Sequence, residues 1–292
     1  MNDDAWDEDG PFALGRRADH PFVRVGPPAR DVEASPLVVV TGLNDPLLRV
    51  TDTLWFAGCV ASLGVRLRHR GYPGPVYLTS RPAGLPAGHT TRAMGADLAR
   101  FLAGFDRPAN LLGVSMGGFV AHHCAVDFPD RVERLVLGLA AARLSAHGRA
   151  RVERWREWAA RGEWGRIYRA GCDAVAVGPL RVAMRAATYP YDRLTGYPPA
   201  GLDFDVSAVA CLGHDASERV PPVPTLVVGG TEDPFFTAAE FERTARPLGA
   251  PFERLDGLGH EAVVCAGERF DRPVLSFLTG PARTGRPSKR QR

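Results

Sequence analysis

Six short apolar runs, each followed by a stretch of helical character, constrain this chain more than any other feature. They are Pro36-Leu-Val-Val-Val-Thr41, Pro75-Val-Tyr-Leu-Thr79, Ala109-Asn-Leu-Leu-Gly-Val114, Arg134-Leu-Val-Leu-Gly-Leu139, Pro224-Thr-Leu-Val-Val-Gly229 and the weaker Pro251-Phe-Glu-Arg-Leu255. Their continuous, β-branched character is that of strands buried on both faces. Helical patterns fill 52–69, 91–104, 116–128, 237–247 and 265–278. Strands alternating with helices of that length form crossover units. The expected fold class is α/β, a mostly parallel sheet with helices on both faces.

One interval breaks the rhythm. Between Leu139 and Pro224 no strand candidate occurs, yet helical periodicity does, with Val152, Trp155 and Ala159 on one face. Three of five tryptophans (Trp155, Trp158, Trp164) and four of six tyrosines (Tyr168, Tyr189, Tyr191, Tyr197) fall here. These aromatics either line an apolar pocket or form the insertion's own core. The expected organisation is therefore a core over 21–139 and 221–280 and a helical cap over 140–220. An acidic disordered tail over 1–20 and a basic one over 281–292 flank them, because neither shows periodicity. Of leading strands before Pro36, only Phe22 to Val25 is suggested.

Charge and composition exclude several functions. The net charge is +3, and removing the acidic residues 1–10 and basic residues 281–292 leaves it unchanged. No strong field remains to hold nucleic acid. Lys289 is the only lysine, which removes any P-loop and any lysine Schiff base within the fold. Gly113, Gly117 and Gly118 do not spell a dinucleotide fingerprint. The five cysteines are scattered without a CxxC pair, the pattern of buried thiols in a reducing compartment. Cys211-Leu-Gly-His214-Asp215 and the pair His122 and His123 lack the further ligands a metal needs. The N-terminus carries no signal-peptide pattern, and the uncharged stretch Asn110 to Val126 is too glycine- and histidine-rich to span a bilayer. A cytoplasmic protein acting on a small molecule is expected, with no nucleic acid, membrane, metal or cofactor. A homo-oligomer is left open.

Chemistry concentrates at Gly113-Val-Ser115-Met-Gly117. With 9 serines and 32 glycines, chance gives a GxSxG about once in ten such chains, so context decides. Here a strand enters the motif and a helix leaves it, as a nucleophile elbow requires. A serine held in a strained turn brings the residues two before and two after it together, which demands glycine at both. Its hydroxyl then stands at a helix N-terminus, which favours developing negative charge. A serine nucleophile needs a base and an orienting acid. His260 lies in the glycine-rich loop Leu255-Asp-Gly-Leu-Gly-His260 after the sixth strand. Asp233 follows the fifth strand in Gly229-Gly-Thr-Glu-Asp233, and Asp256 is its rival. The order Ser115, Asp233, His260 is that of elbow enzymes. An oxyanion hole takes one N–H from Met116, after the serine, and a second from the loop after the first buried strand, where Leu43 follows Gly42. Asn44 and Phe236 are the expected substrate contacts.

From about residue 36 to 278 the chain resembles the α/β-hydrolase superfamily. The likeness is carried by the elbow Gly113-Val-Ser-Met-Gly-Gly118, the acid turn Gly230-Thr-Glu-Asp233 and the loop Gly257-Leu-Gly-His260. It implies a Ser-Asp-His triad on a mostly parallel sheet, with a helical cap after the sixth family strand. The chain departs from the family at the oxyanion loop, where His-Gly is Thr41-Gly42, and after the next strand, where Ser80 replaces a frequent aspartate. The serine separates it from the aspartate-dependent dehalogenases and epoxide hydrolases, and from the cysteine-dependent dienelactone hydrolases. Residues 41–45 are not HGGG, and the elbow lacks the Gly-Gly-Ser-Trp of prolyl iminopeptidases. The resemblance leaves an ester hydrolase as the leading expectation. Acyltransferase, lyase, perhydrolase or carbon–carbon hydrolase chemistry on the same triad follows, and a non-catalytic binding protein comes last.

Overall fold

The computed structural model describes residues 10–194 and 201–281. Eight strands form one sheet: β1 (Phe12–Arg17), β2 (His20–Val25), β3 (Leu37–Val40), β4 (Val76–Thr79), β5 (Ala109–Val114), β6 (Val132–Gly138), β7 (Thr225–Gly230) and β8 (Phe252–Leu255). Their spatial order is β1-β2-β4-β3-β5-β6-β7-β8. The pairs β1–β2 and β2–β4 are antiparallel and every other pair is parallel.

Period-two alternation explains why the apolar runs became strands. Val38 and Val40 of β3, Leu111 of β5, Leu135 and Leu137 of β6 and Val227 of β7 pack in one core. Leu37, Val39, Leu112, Val136, Leu226 and Val228, their sequence neighbours, pack in the other. The first core is closed by α2 (Thr91–Leu102), α3 (Met116–Asp127) and α8 (Ala238–Leu248). The second is closed by α1 (Leu54–His69), α9 (Ala262–Cys265) and α10 (Glu268–Thr279). Helix starts follow capping chemistry: Thr53, Thr90 and Thr237 each accept a backbone N–H of the first turn, and Gly249 ends α8 with φ +57°.

Among the described residues between β6 and β7 stand four helices, α4 (Ala146–Ala160), α5 (Trp164–Val175), α6 (Gly178–Leu194) and α7 (Gly201–Leu212), and no strand. Buried Asp203 ties α7 to the core, accepting from the N–H groups of Gly84 (3.0 Å) and Leu85 (2.7 Å) and from Arg49 Nη2 (2.6 Å).

The disordered tail expected over 1–20 is corrected in its second half. Phe12–Arg17 is a strand registered against His20–Val25, joined by a two-residue turn in which Ala18 and Asp19 have φ of +45° and +63°. That turn geometry matches the twist of a hairpin. The remaining tail segments, 1–9 and 282–292, lie outside the described residues. The single helix expected at 265–278 is instead α9 and α10, separated at Gly267, whose φ is +53°.

Candidate active site

β5 delivers Ser115 into a backbone conformation that non-glycine residues seldom adopt, φ +56° and ψ −127°. Such a residue costs on the order of 1–3 kcal/mol and persists only where its surroundings hold it. Here Ser115 N–H donates to the Gly138 carbonyl (3.1 Å), and the Gly118 N–H donates to the Ser115 carbonyl (2.8 Å). The glycines around it are demanded by backbone approach. A Cβ on Gly113 would lie 2.6 Å from the Gly117 carbonyl oxygen and 2.5 Å from Gly118 Cα. Gly117 has a second reason, unforeseen from spacing: its Cβ would lie 2.1 Å from the Val40 carbonyl oxygen at the end of β3.

The acid turn and the histidine loop are bound to each other through their backbones. Glu232 N–H donates to the Leu258 carbonyl (2.9 Å), and Gly257 N–H donates to Thr231 Oγ1 (2.9 Å). Gly230 permits this contact, since a Cβ there would come within 2.1 Å of the Leu258 oxygen. The result sets Asp233 Oδ2 2.7 Å from His260 Nδ1. Asp233 Oδ1 accepts from the N–H groups of Phe235 (2.8 Å) and Phe236 (3.1 Å). The carboxylate is thus fixed by three bonds and fully buried. Asp256 is exposed and pairs with Arg254 at 2.6 Å. It is not the partner of His260.

Ser115, His260, Leu43, Met116, Asn44 and Phe236 all line one cavity of about 270 Å3. Gly42 lets the loop after β3 close on the serine, its Cβ position being 3.3 Å from Ser115 Cβ. Among the described residues, no hydrogen bond runs from the amides of Leu43 or Met116 to another protein group. Phe236 lies with its ring centroid 6.4 Å from that of His260, and Phe235 lies closer, at 4.8 Å. Asn44 packs against Gly171 of α5, and its Oδ1 is buried without a partner.

Apart from Thr41 and Asp45, most of the remaining wall is apolar: Leu144, Val152 and Trp155 reach it from α4 or just before it, Tyr168 and Val175 from α5, and Phe119 from α3. Tyr189, Tyr191 and Tyr197 lie outside the described side chains; the insertion's other aromatics divide between the two roles left open. Trp155 and Tyr168 face the cavity, whereas Trp164 packs edge-on against Phe204. Phe235, Cys172 and Ala174 of α5, and Cys211 of α7 were not singled out from sequence as cavity residues. No local pattern marks them, although Phe235 adjoins Phe236.

The other histidines are employed elsewhere. His214 stacks on Phe119 with centroids 3.9 Å apart and shares a hydrogen bond with Thr91 Oγ1 (3.0 Å). His123 meets its edge at 5.1 Å, and His122 Nε2 donates to the Arg219 carbonyl (2.6 Å). Burial, reinforced by neighbouring histidines, pushes His214 well down and His123 down to about 4. Burial likewise lowers His122, against the opposing hydrogen bond to the Arg219 carbonyl. Among the described residues, no group of three or more His, Cys, Asp or Glu could hold a metal ion, and no helix is long and apolar enough to cross a membrane.

Comparison with known proteins places this architecture. A hydrolase from Pseudomonas aeruginosa superimposes with a TM-score of 0.68 at 22% identity, covering 92% of this chain and 99% of its own. The enol-lactonase of Burkholderia xenovorans gives 0.69 at 18% identity, covering 91% and 100%. A bromoperoxidase from Bacillus anthracis gives 0.65 at 18%, covering 91% and 99%. The chain has the α/β-hydrolase fold. No family model matches it. In sequence it is 33% identical over 198 residues to the polyketide synthase ThaQ of Burkholderia thailandensis. That match covers 64% of this chain and only 9% of the synthase.

Proposed function

We propose that the chain is a serine hydrolase that cleaves a small carboxylic ester or related acyl compound through an acyl-enzyme intermediate. The observation that carries this reading is the 2.7 Å Asp233–His260 contact at the wall of a cavity that also holds the strained Ser115. Asp233 holds the Nδ1–H of His260, which leaves Nε2 unprotonated as the base. Nε2 takes the proton of Ser115 Oγ as that oxygen attacks the substrate carbonyl carbon. The oxyanion that forms is stabilised by the N–H groups of Leu43 and Met116. Collapse breaks the ester C–O bond, and the departing alkoxide takes the proton from His260. A water molecule, deprotonated in turn by His260, then releases the acid and restores Ser115. The apolar walls of Trp155, Tyr168 and Phe236 suit the acyl group's hydrocarbon.

A second reading is favoured by the match to a segment of a polyketide synthase. There the same serine would receive an acyl chain from a thioester and pass it to water or to another acceptor. A fluorophosphonate probe and a panel of p-nitrophenyl esters test both. Labelling is expected at Ser115, absent in Ser115→Ala and steeply reduced in His260→Ala, with ester turnover in the wild type. A folded wild-type protein that takes no label refutes the serine mechanism. Labelling without turnover of any ester refutes the simple ester hydrolase and supports the thioester reading.

A further inference from the structure

The loop after β3 turns its carbonyl oxygens toward a buried cation. Arg81, the second residue beyond β4, is 2% exposed. Its Nη2 donates to the carbonyls of Gly42 (2.9 Å) and Leu43 (3.2 Å), and Nη1 reaches that of Thr41 at 3.4 Å. The Arg81 backbone N–H donates to Asp45 Oδ2 (2.8 Å), and that oxygen lies 3.8 Å from Nη2. One residue therefore grips the segment 41–45 by main chain and side chain together. Arg81 does not line the cavity, whereas Gly42, Leu43, Asn44 and Ser115 do.

In a trans peptide the C=O and N–H point in opposite directions, and the described chain contains no cis peptide. A guanidinium holding the carbonyls of Gly42 and Leu43 consequently aims the next N–H groups, of Leu43 and Asn44, away from itself. A charged donor makes bonds about twice as strong as a neutral one and polarises the peptide it binds. The planar fork also reaches several acceptors in fixed geometry, which a lysine or an amide does not. A buried charge is costly unless paired, and Asp45 pairs it.

We propose that Arg81 is a positioning residue for acyl transfer. It presets the Gly42–Leu43 and Leu43–Asn44 peptides so that the Leu43 N–H, with that of Asn44 beside it, meets the oxyanion at Ser115. The proposal rests on the serine-hydrolase reading, and its test separates the two.

Turnover of p-nitrophenyl hexanoate is measured in wild type, in Arg81→Ala and in Arg81→Met/Asp45→Asn, which removes both buried charges at once. Each folded variant is expected to lose ~10²-fold in kcat, as when one oxyanion donor is removed, with KM within about three-fold. Millimolar guanidinium restores part of the rate to Arg81→Ala. Amide hydrogen exchange is followed at Asp45, Leu47 and Leu48, which are bonded within the loop. It accelerates in the variants while exchange at residues 109–114 does not. A folded variant with wild-type kcat, or with only KM raised, overturns the proposal, and so does collapse of both variants to unfolded chains. If the wild type turns over no ester, the hydrolase reading fails alone. Exchange then decides: acceleration confined to 45–48 upholds the positioning of the loop by Arg81, and unchanged exchange overturns it.

Discussion

The apolar cavity predicts how rate should depend on acyl chain length. At ~30 Å3 per non-hydrogen atom, the share a water takes in the liquid, 270 Å3 holds about nine such atoms. The ester group takes about three, leaving room for an acyl chain of roughly six to eight carbons. Each methylene moved from water to this wall is worth up to ~0.8 kcal/mol. Going from acetyl to hexanoyl adds four, a ceiling of ~3 kcal/mol or on the order of 200-fold in kcat/KM. The assay is kcat/KM for p-nitrophenyl esters from acetyl to dodecanoyl. A rise of a few-fold per methylene is expected, followed by a break near eight carbons where the chain outgrows the cavity. Filling the cavity from Ala174, a buried wall residue of α5, with Ala174→Leu should move that break about three carbons shorter, the volume it adds. A profile that is flat or falls from acetyl onward refutes the assignment of this cavity to the acyl group.

Two further outcomes follow from the contacts. Asp233→Asn should fold and lower kcat by up to ~10⁴-fold, the effect of a wrong histidine tautomer. Asp256→Asn, whose carboxylate pairs with Arg254, should stay near wild type, and the reverse result would overturn the acid assignment. Stability should fall on the acid side. Unfolded histidines take up protons near pH ~6.5, while buried His123 stays neutral until about pH 4. The stability these neutral rings contribute is complete above that first value and is lost as pH drops through the window. Each such histidine steepens the slope by up to ~1.4 kcal/mol per pH unit, so His123→Gln should show a shallower decline in denaturation midpoints between pH 7 and 5. An unchanged slope would show that His123 is free to protonate in the folded protein.

The parallel strands β3 to β7 were legible because each is largely buried on both faces and so carries an apolar run, whereas the edge strand β8, with Glu253 and Arg254 exposed, gave a weaker signal. Phe12–Arg17 was not legible, because an edge strand needs no such run. FALGRR places only Ala13 in the buried class and holds its register through the hairpin turn. The positions of Ser115, Asp233 and His260 were legible because each follows a strand and their chain order is distinctive. What bound them was hidden. The contact between the acid turn and the histidine loop joins segments some 26 residues apart through main-chain groups and the Thr231 hydroxyl, which carry no periodic signal. The burial of Arg81 depends on the β3 loop folding over it. A lone arginine beyond a strand carries no periodic signal, and its partners are carbonyl oxygens, which every residue has.

The four helices leave the sheet after β6 and return to β7, its immediate neighbour. Ser115 precedes that excursion, while Asp233 and His260 follow it. All three are thus anchored in the sheet's own loops, and none belongs to the excursion. Closing a longer loop costs only ~0.6 kcal/mol per doubling of its length. The segment between β6 and β7 is therefore expected to tolerate changes of length and lining while Ser115, Asp233 and His260 keep their places in the sheet's loops. A graft of a foreign helical segment between Leu139 and Thr225, re-anchored at the loop that Asp203 now holds, is the natural route to new selectivity in this scaffold.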